Sequence, residues 1–146
     1  MKKTQIIAVY ACMISTVVIA DTLKVTVTGL KTDKGGNLRL GVFNESRRDQ
    51  FPEGKYLFGV DLPAGQSEMT IEIPAVKPGK YAIATFQDFN QNQKLDRDAD
   101  GIPKEIYGFS VLSANRESTY EEALFDTEKD GYDVSIKLRM PSLEAH

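Results

Sequence analysis

Stretches of strict period-two alternation constrain this chain more than anything else in it. Leu23, Val25 and Val27 alternate with Lys24, Thr26 and Thr28. Leu38, Leu40 and Val42 alternate with Arg39, Gly41 and Phe43. Met69, Ile71 and Ile73 flank Thr70 and Glu72, and Val134, Ile136 and Leu138 flank Ser135 and Lys137. A side-chain period of two puts each apolar set on one face of a strand, and the β-branched content favours the same state. Clusters of turn residues separate the runs: Gly35-Gly36, Pro63-Ala64-Gly65, Lys77-Pro78-Gly79-Lys80 and Lys129-Asp130-Gly131. The first two runs read as a hairpin, and the third is stopped by Pro74. Tyr81 to Phe86 reads as the most buried strand, because small Ala82 and Ala84 suit a crowded central position. Tyr56 to Leu62 and Glu122 to Phe125 read as short strands. Asn44 to Gly54 reads as a loop with a helical turn around Glu45 to Gln50. No long helical period is visible. The expected fold is all-β: a single antiparallel β-sandwich, immunoglobulin-like or transthyretin-like, of about seven strands with a long acidic loop.

The amino terminus reads as an export signal. Lys2-Lys3 precede an uncharged apolar run from Ile6 to Ile19, ending in small Ala20 before Asp21. Residues 1–20 are therefore expected to be a cleaved signal peptide, 21–140 the sandwich domain and 141–146 a tail. The apolar run is short for a bilayer span, so no stable membrane insertion is expected after cleavage. Cys12, the single cysteine, lies inside this segment with bulky Tyr10 two places before it, which disfavours lipidation. The mature chain then has no disulfide, no thiolate nucleophile and no cysteine-based zinc site. The expected location is periplasmic or secreted. The whole chain carries a formal net charge of −3, and loss of Lys2 and Lys3 makes it more acidic, which argues against nucleic acid as a partner.

In the middle lies Asp88-Phe89-Asn90-Gln91-Asn92-Gln93-Lys94-Leu95-Asp96-Arg97-Asp98-Ala99-Asp100-Gly101. Oxygen-bearing side chains recur there at alternate positions, the pattern with which a loop wraps a hard cation. Two ligand frames overlap. In the first, Asp88, Asn90 and Asn92 take places one, three and five of an EF-type loop, the Lys94 carbonyl place seven, Leu95 the apolar eighth and Asp96 the ninth. Gln93 stands where that loop has its turn glycine, and Ala99 stands at twelve. In the second frame Asp96, Asp98, Asp100 and Gly101 open the motif and Glu105 closes the shell. Oxygen-only donors select calcium or magnesium, and calcium tolerates the irregular shell better. The candidate metal ligands are Asp88, Asn90, Asn92, Lys94, Asp96, Asp98, Asp100 and Glu105, with Ca2+ as the cofactor.

From this loop onward the chain resembles DUF2141, a bacterial family of unknown function. The matching residues are Pro78-Gly79-Lys80-Tyr81-Ala82-Ile83-Ala84, Asp88 through Asp96, Gly101-Ile102-Pro103-Lys104-Glu105 and Tyr107-Gly108-Phe109-Ser110. The front strands and Tyr120-Glu121-Glu122-Ala123 are similar as well. Gln93 and Val111-Leu112 depart from the family's pattern. The resemblance implies an exported β-sandwich domain and implies no activity. The role expected is a non-catalytic module whose calcium loop stabilises a surface for a protein or glycan ligand. Two alternatives stand beside it. One is a glycosidase-like hydrolase with Glu105 as the acid, near Asp100 or Asp88. The other is a carbohydrate-binding module with Tyr56, Phe58, Tyr107 and Phe109 as an aromatic platform. A catalytic triad is disfavoured, since the sole histidine is the terminal His146.

Overall fold

The computed structural model describes residues 20–111 and 116–141. The signal-peptide reading, Ala20 apart, lies outside the described residues, as do Cys12, His146 and the tail beyond Pro141. The runs read as strands form strands, with one more at Tyr107–Phe109 that the sequence did not mark: β1 Asp21–Thr28, β2 Asn37–Phe43, β3 Phe58–Pro63, β4 Glu68–Val76, β5 Lys80–Asp88, β6 Tyr107–Phe109, β7 Leu124–Asp126 and β8 Asp133–Lys137. The strand expected from Glu122 begins only at Leu124, because Glu122 and Ala123 close a helical turn. The chain is all-β, with its strands divided between two sheets. The three-stranded sheet has the order β4-β1-β8. The five-stranded sheet runs β3-β2-β5, with β6 and β7 sharing the far edge of β5 end to end.

Three expectations need correction. First, β1 and β2 do not form a hairpin. Each pairs inside a different sheet, and the segment between them is an arch from one sheet to the other. Glycine-rich turn composition serves either connection, so the sequence could not separate them. The arch is pinned by a fully buried side chain, Gln87, which accepts from Lys31 N at 2.8 Å and donates to the carbonyls of Lys31 at 2.8 Å and Gly35 at 2.7 Å. Second, the strands are not all antiparallel. β8 runs parallel to β1, pairing Val25 with Val134 and Val27 with Ile136. A parallel pair needs a long crossover, and here the whole chain between the two strands supplies it.

Third, Pro74 does not stop β4, which continues to Val76. Asp21 faces Val76 while Leu23 faces Ile73, so β4 carries one extra residue there. This is a bulge, with Ala75 at φ +61°. β4 is an edge strand, where a proline without an N–H costs no interior ladder bond.

The inward faces of both sheets meet in one apolar cluster. It joins Leu23, Val25 and Val27 of β1, Ile71 and Ile73 of β4, and Ile136 of β8 to Leu38, Leu40 and Val42 of β2 and Ile83 of β5. The other face of the five-stranded sheet is covered too. Phe43, Ala82, Tyr107, Phe109, Tyr120 and Ala123 form a second cluster, and the Phe51 ring packs on Phe43, Phe109 and Tyr120 at 5.2–6.0 Å. This second layer accounts for the burial of β5 on both faces. Two local elements build it. One is the expected turn, a 3-10 helix over Glu45–Gln50 with no buried residue of its own, which delivers Phe51 at its end. The other is the one-turn helix Tyr120–Ala123, started by a reciprocal capping box between Thr119 and Glu122. Among the described residues no helix is long and apolar enough to cross a membrane.

Candidate metal centre

β5 ends by delivering Asp88, 1% exposed, to the mouth of the acidic loop. Its carboxylate closes the loop on itself. Oδ1 accepts from the Asn92 amide at 3.2 Å, and Oδ2 accepts from the Gln93 amide at 2.7 Å. Asn90 and Asn92 turn the chain in the same manner, each accepting from the amide two places on, at 3.3 Å and 3.0 Å. Gln91 and Gln93 sit at φ +59° and +68°. Gln93 thus holds the backbone conformation that glycine holds in the loop the first frame resembles, and the sequence mismatch is not a mismatch of path. A non-glycine residue at positive φ costs roughly 1 kcal/mol, so Gln93→Gly is expected to raise stability by about that amount, less its entropic cost. A urea midpoint shift at constant slope would register it.

Three side chains of the first frame then converge. Asn90 Nδ2 donates to Asp96 Oδ2 and Asn92 Nδ2 donates to Asp96 Oδ1, both at 2.6 Å. Behind them sits Glu105, 3% exposed. Its Oε2 accepts from Phe89 N at 3.0 Å and its Oε1 from Asp96 N at 3.2 Å. Leu95 is buried, as the apolar eighth place expects. An open hollow of about 420 Å³ lies against Phe89, Asn90, Asp96, Arg97, Lys104 and Glu105. The two carboxylates are driven apart in acidity. Burial, and then the neighbouring Asp96, push Glu105 up to about 7. The bond from Asn92, followed by that from Glu105, lowers Asp96 against the opposing effect of burial, with a smaller contribution from Asn90.

The second frame does not join this group. Asp98 Oδ1 accepts from the amides of Asp100 and Ile102, and the turn is closed by a bridge between Arg97 and Pro103. Asp98 and Asp100 therefore belong to a separate exposed turn, while Asn90, Asn92, Asp96 and Glu105 come together and Asp88 turns its carboxylate onto the amides of Asn92 and Gln93. The Lys94 side chain is exposed beside the loop. Among the described residues no three carboxylate, histidine or cysteine side chains gather as a ready metal cage. The converging set mixes two carboxylates, Asp96 and Glu105, with two amides whose nitrogens now face Asp96.

Two features escaped the sequence. Arg97, inside the acidic run, is not an idle charge. It forms paired bonds to Glu117 at 2.7 and 2.8 Å, another to Glu53 at 2.9 Å and a fourth to the Gly101 carbonyl at 3.0 Å. An arginine flanked on both sides by aspartates was the available signal, but nothing pointed to distant Glu53 or Glu117. The other is the pair Gly41 and Ala84, directly opposed across β2 and β5, which leaves a hollow above the outer face of the sheet. The aromatic platform is corrected. Phe58 packs toward the shared core, Tyr107 and Phe109 are buried, and Tyr56 alone of the four is exposed. Interleaving with apolar residues made them core, as such aromatics usually are.

A family model described as an uncharacterized protein conserved in bacteria (DUF2141) matches residues 25–135. No curated protein and no solved structure matches the chain.

Proposed function

The chain belongs to the DUF2141 family, and we propose that it is an exported, non-catalytic β-sandwich module whose acidic loop binds Ca2+ through the first ligand frame. Asp88, Asn90, Asn92, the Lys94 carbonyl and Asp96 would supply the loop's oxygens, and Glu105 would close the shell. The observation that carries the reading is the convergence of Asn90 and Asn92 on Asp96, with Glu105 buried behind it. Two carboxylates packed this close are tolerable only if one holds a proton or a cation neutralises both. The amide groups, turned to present oxygen rather than nitrogen, are neutral hard donors of the kind calcium accepts. Bound metal would hold the start of the loop against the end of β5 and so stiffen the surface that the loop helps to form.

A second reading, carboxylate-dependent hydrolysis, draws on the same split in acidity, since acid and base pairs are often separated in this way. The geometry favours it less. Both Glu105 oxygens accept backbone amides, and the carboxyl is almost wholly shielded from solvent. Asp100, one suggested partner, lies on the other turn.

Calorimetric titration of the signal-free protein tests the first reading. Calcium is expected to bind at one site, more tightly than magnesium. Asp96→Ala is expected to abolish the heat, and Asp98→Ala to leave it unchanged. No heat from calcium, or loss of binding with Asp98→Ala but not with Asp96→Ala, would overturn the assignment.

A further inference from the structure

β3 ends the five-stranded sheet and pairs only with β2 among the described residues. The other sheet edges are blunted in the ways edge strands usually are. β4 carries Pro74 and the bulge at Ala75. β6 and β7 are three residues each, and β8 is five residues long with Asp133, Ser135 and Lys137 exposed. β3 instead keeps a regular register over its six residues. Its one charge, Asp61, is neutralised by Arg39 at 2.7 Å and takes a further bond from Asn37 at 2.8 Å. Large apolar side chains gather there as well. Of the five that are exposed among the described residues, Tyr56, Leu57 and Leu62 lie in β3 or lead into it.

The outer edge of β3 complements itself. In an antiparallel ladder, facing residues alternate between pairs that exchange hydrogen bonds and pairs that do not. Ala64 N donates to the Gly36 carbonyl at 3.0 Å, so in the same register Leu62 with Leu38 and Val60 with Leu40 are bonded pairs. The N–H and C=O of Gly59 and Asp61 therefore point away from β2. We propose that β3 pairs antiparallel with β3 of a second copy of this chain, about a two-fold axis through Val60. That axis sets Gly59 opposite the partner's Asp61 and satisfies all four outward groups, since each copy supplies the other's donors and acceptors. It also sets Phe58 opposite the partner's Leu62 and Val60 opposite the partner's Val60, one apolar row on the core side. The neighbouring registers fail. An axis through Asp61 puts two carboxylates face to face. An axis through Gly59 crowds together the two Tyr56 rings, each of which lies where a side chain at Gly59 would be. Pro63, without an N–H, keeps the ladder from running further. An unrelated strand would have to supply, in order, an apolar row on one face and small residues beside the acid on the other; a second copy supplies both.

Two such edges bury roughly 800 Å² in all, against about 1,200 Å² at the lower limit for stable complexes, so the dimer is expected to dissociate at about 50 µM. The test uses the signal-free protein in chelator, so the cation reading does not enter. Sedimentation velocity from about 5 to about 500 µM is expected to show a monomer–dimer equilibrium across that dissociation constant. Leu62→Glu, at an exposed side chain, should weaken it by about tenfold or more. Asp61→Pro removes an outward N–H and no bond to β2, and should leave a monomer, whereas Asp61→Asn keeps the N–H and should still dimerise. Val60→Cys reads the register. The signal-free chain has no other cysteine, and two residues facing on the axis stand about 4.5 Å apart between Cα atoms, within disulfide range. Under a mild oxidant the Val60→Cys protein should become a covalent dimer about tenfold faster than the Leu62→Cys protein, whose thiol faces the partner's Phe58. A monomer at every concentration overturns the proposal and leaves the edge to a strand of another protein. A dimer indifferent to Leu62→Glu overturns it too, as does faster crosslinking of Leu62→Cys than of Val60→Cys.

Discussion

Without metal, the protein is expected to melt higher at pH 5 than at pH 8, and saturating calcium is expected to abolish that difference. The sign follows from Glu105. Its carboxyl rises from 4.5 in the unfolded chain to about 7 in the fold, because it is buried beside Asp96. Between those values the folded state keeps a proton that the unfolded state has released. The stability this proton confers is full below about 4.5 and is lost as pH climbs through 7. Asp96, whose acidity shifts the other way, acts below its ordinary value and is already ionised throughout this window. The one histidine is terminal His146, so no imidazole titrates within the described fold. The expected loss is about 2 kcal/mol, or on the order of 8 °C in melting temperature. Calcium prefers the ionised pair, displaces the proton, and at a hundredfold over its dissociation constant adds about 2.7 kcal/mol. Its effect should therefore grow from pH 5 to 7 and level off above. Glu105→Gln turns an amide nitrogen toward one of two backbone donors and so lowers the baseline by about 1–3 kcal/mol. Its diagnostic result is a flat profile with no calcium response. A wild-type melting temperature that ignores pH in chelator would show that Glu105 does not hold this proton.

How much of this was legible beforehand depended on the range of the interaction. Alternation in Leu23–Val27, Leu38–Val42 and Val134–Ile136 marked strands, because period two is a property of neighbouring residues. Which strands pair is a long-range property. Thr32 to Asn37 looks the same whether it turns a hairpin or spans two sheets. The parallel pairing of β8 with β1 depends on everything folded between them. The outward residues of β2 were harder to read, for a related reason. Gly41 and Phe43 resemble the solvent face of a sandwich until Phe51 is known to pack on Phe43, whereas small Ala82 and Ala84 already marked β5 as crowded and buried. The acidic loop was readable in composition and ambiguous in frame. The choice rests on Glu105, nine residues past Asp96, which accepts from the amides of both Asp96 and Phe89 and so draws the two ends of the first frame together. Asp98, by contrast, satisfies its own turn. Gln93 was counted against the first frame on residue type alone, and φ is not written in residue type.

Replacement of Gln87 by leucine is expected to cost about 3 kcal/mol, although the two side chains are similar in size and the site is fully buried. Gln87 serves three backbone groups at once, the N–H and C=O of Lys31 and the C=O of Gly35. Leucine serves none of them. A buried backbone group left without a partner costs about 1–3 kcal/mol. Partial access of the arch to water lowers that sum, and extra apolar burial offsets about 1 kcal/mol more. The damage should also spread. Gly36, at φ +76°, presses so closely on the end of β5 that a Cβ there would lie 2.0 Å from the Asp88 carbonyl oxygen. The arch held by Gln87 is therefore packed against the residue that opens the acidic loop. Gln87→Leu should lower the urea midpoint with an unchanged slope, and it should weaken calcium binding without touching a proposed ligand. Gln87→Glu keeps the acceptor for Lys31 N but loses both donors, and it should rank with leucine rather than with wild type. If Gln87→Leu shifts stability by less than about 0.5 kcal/mol, the arch is held by its glycines and by Leu30 rather than by this side chain, and Asp88 does not owe its position to it.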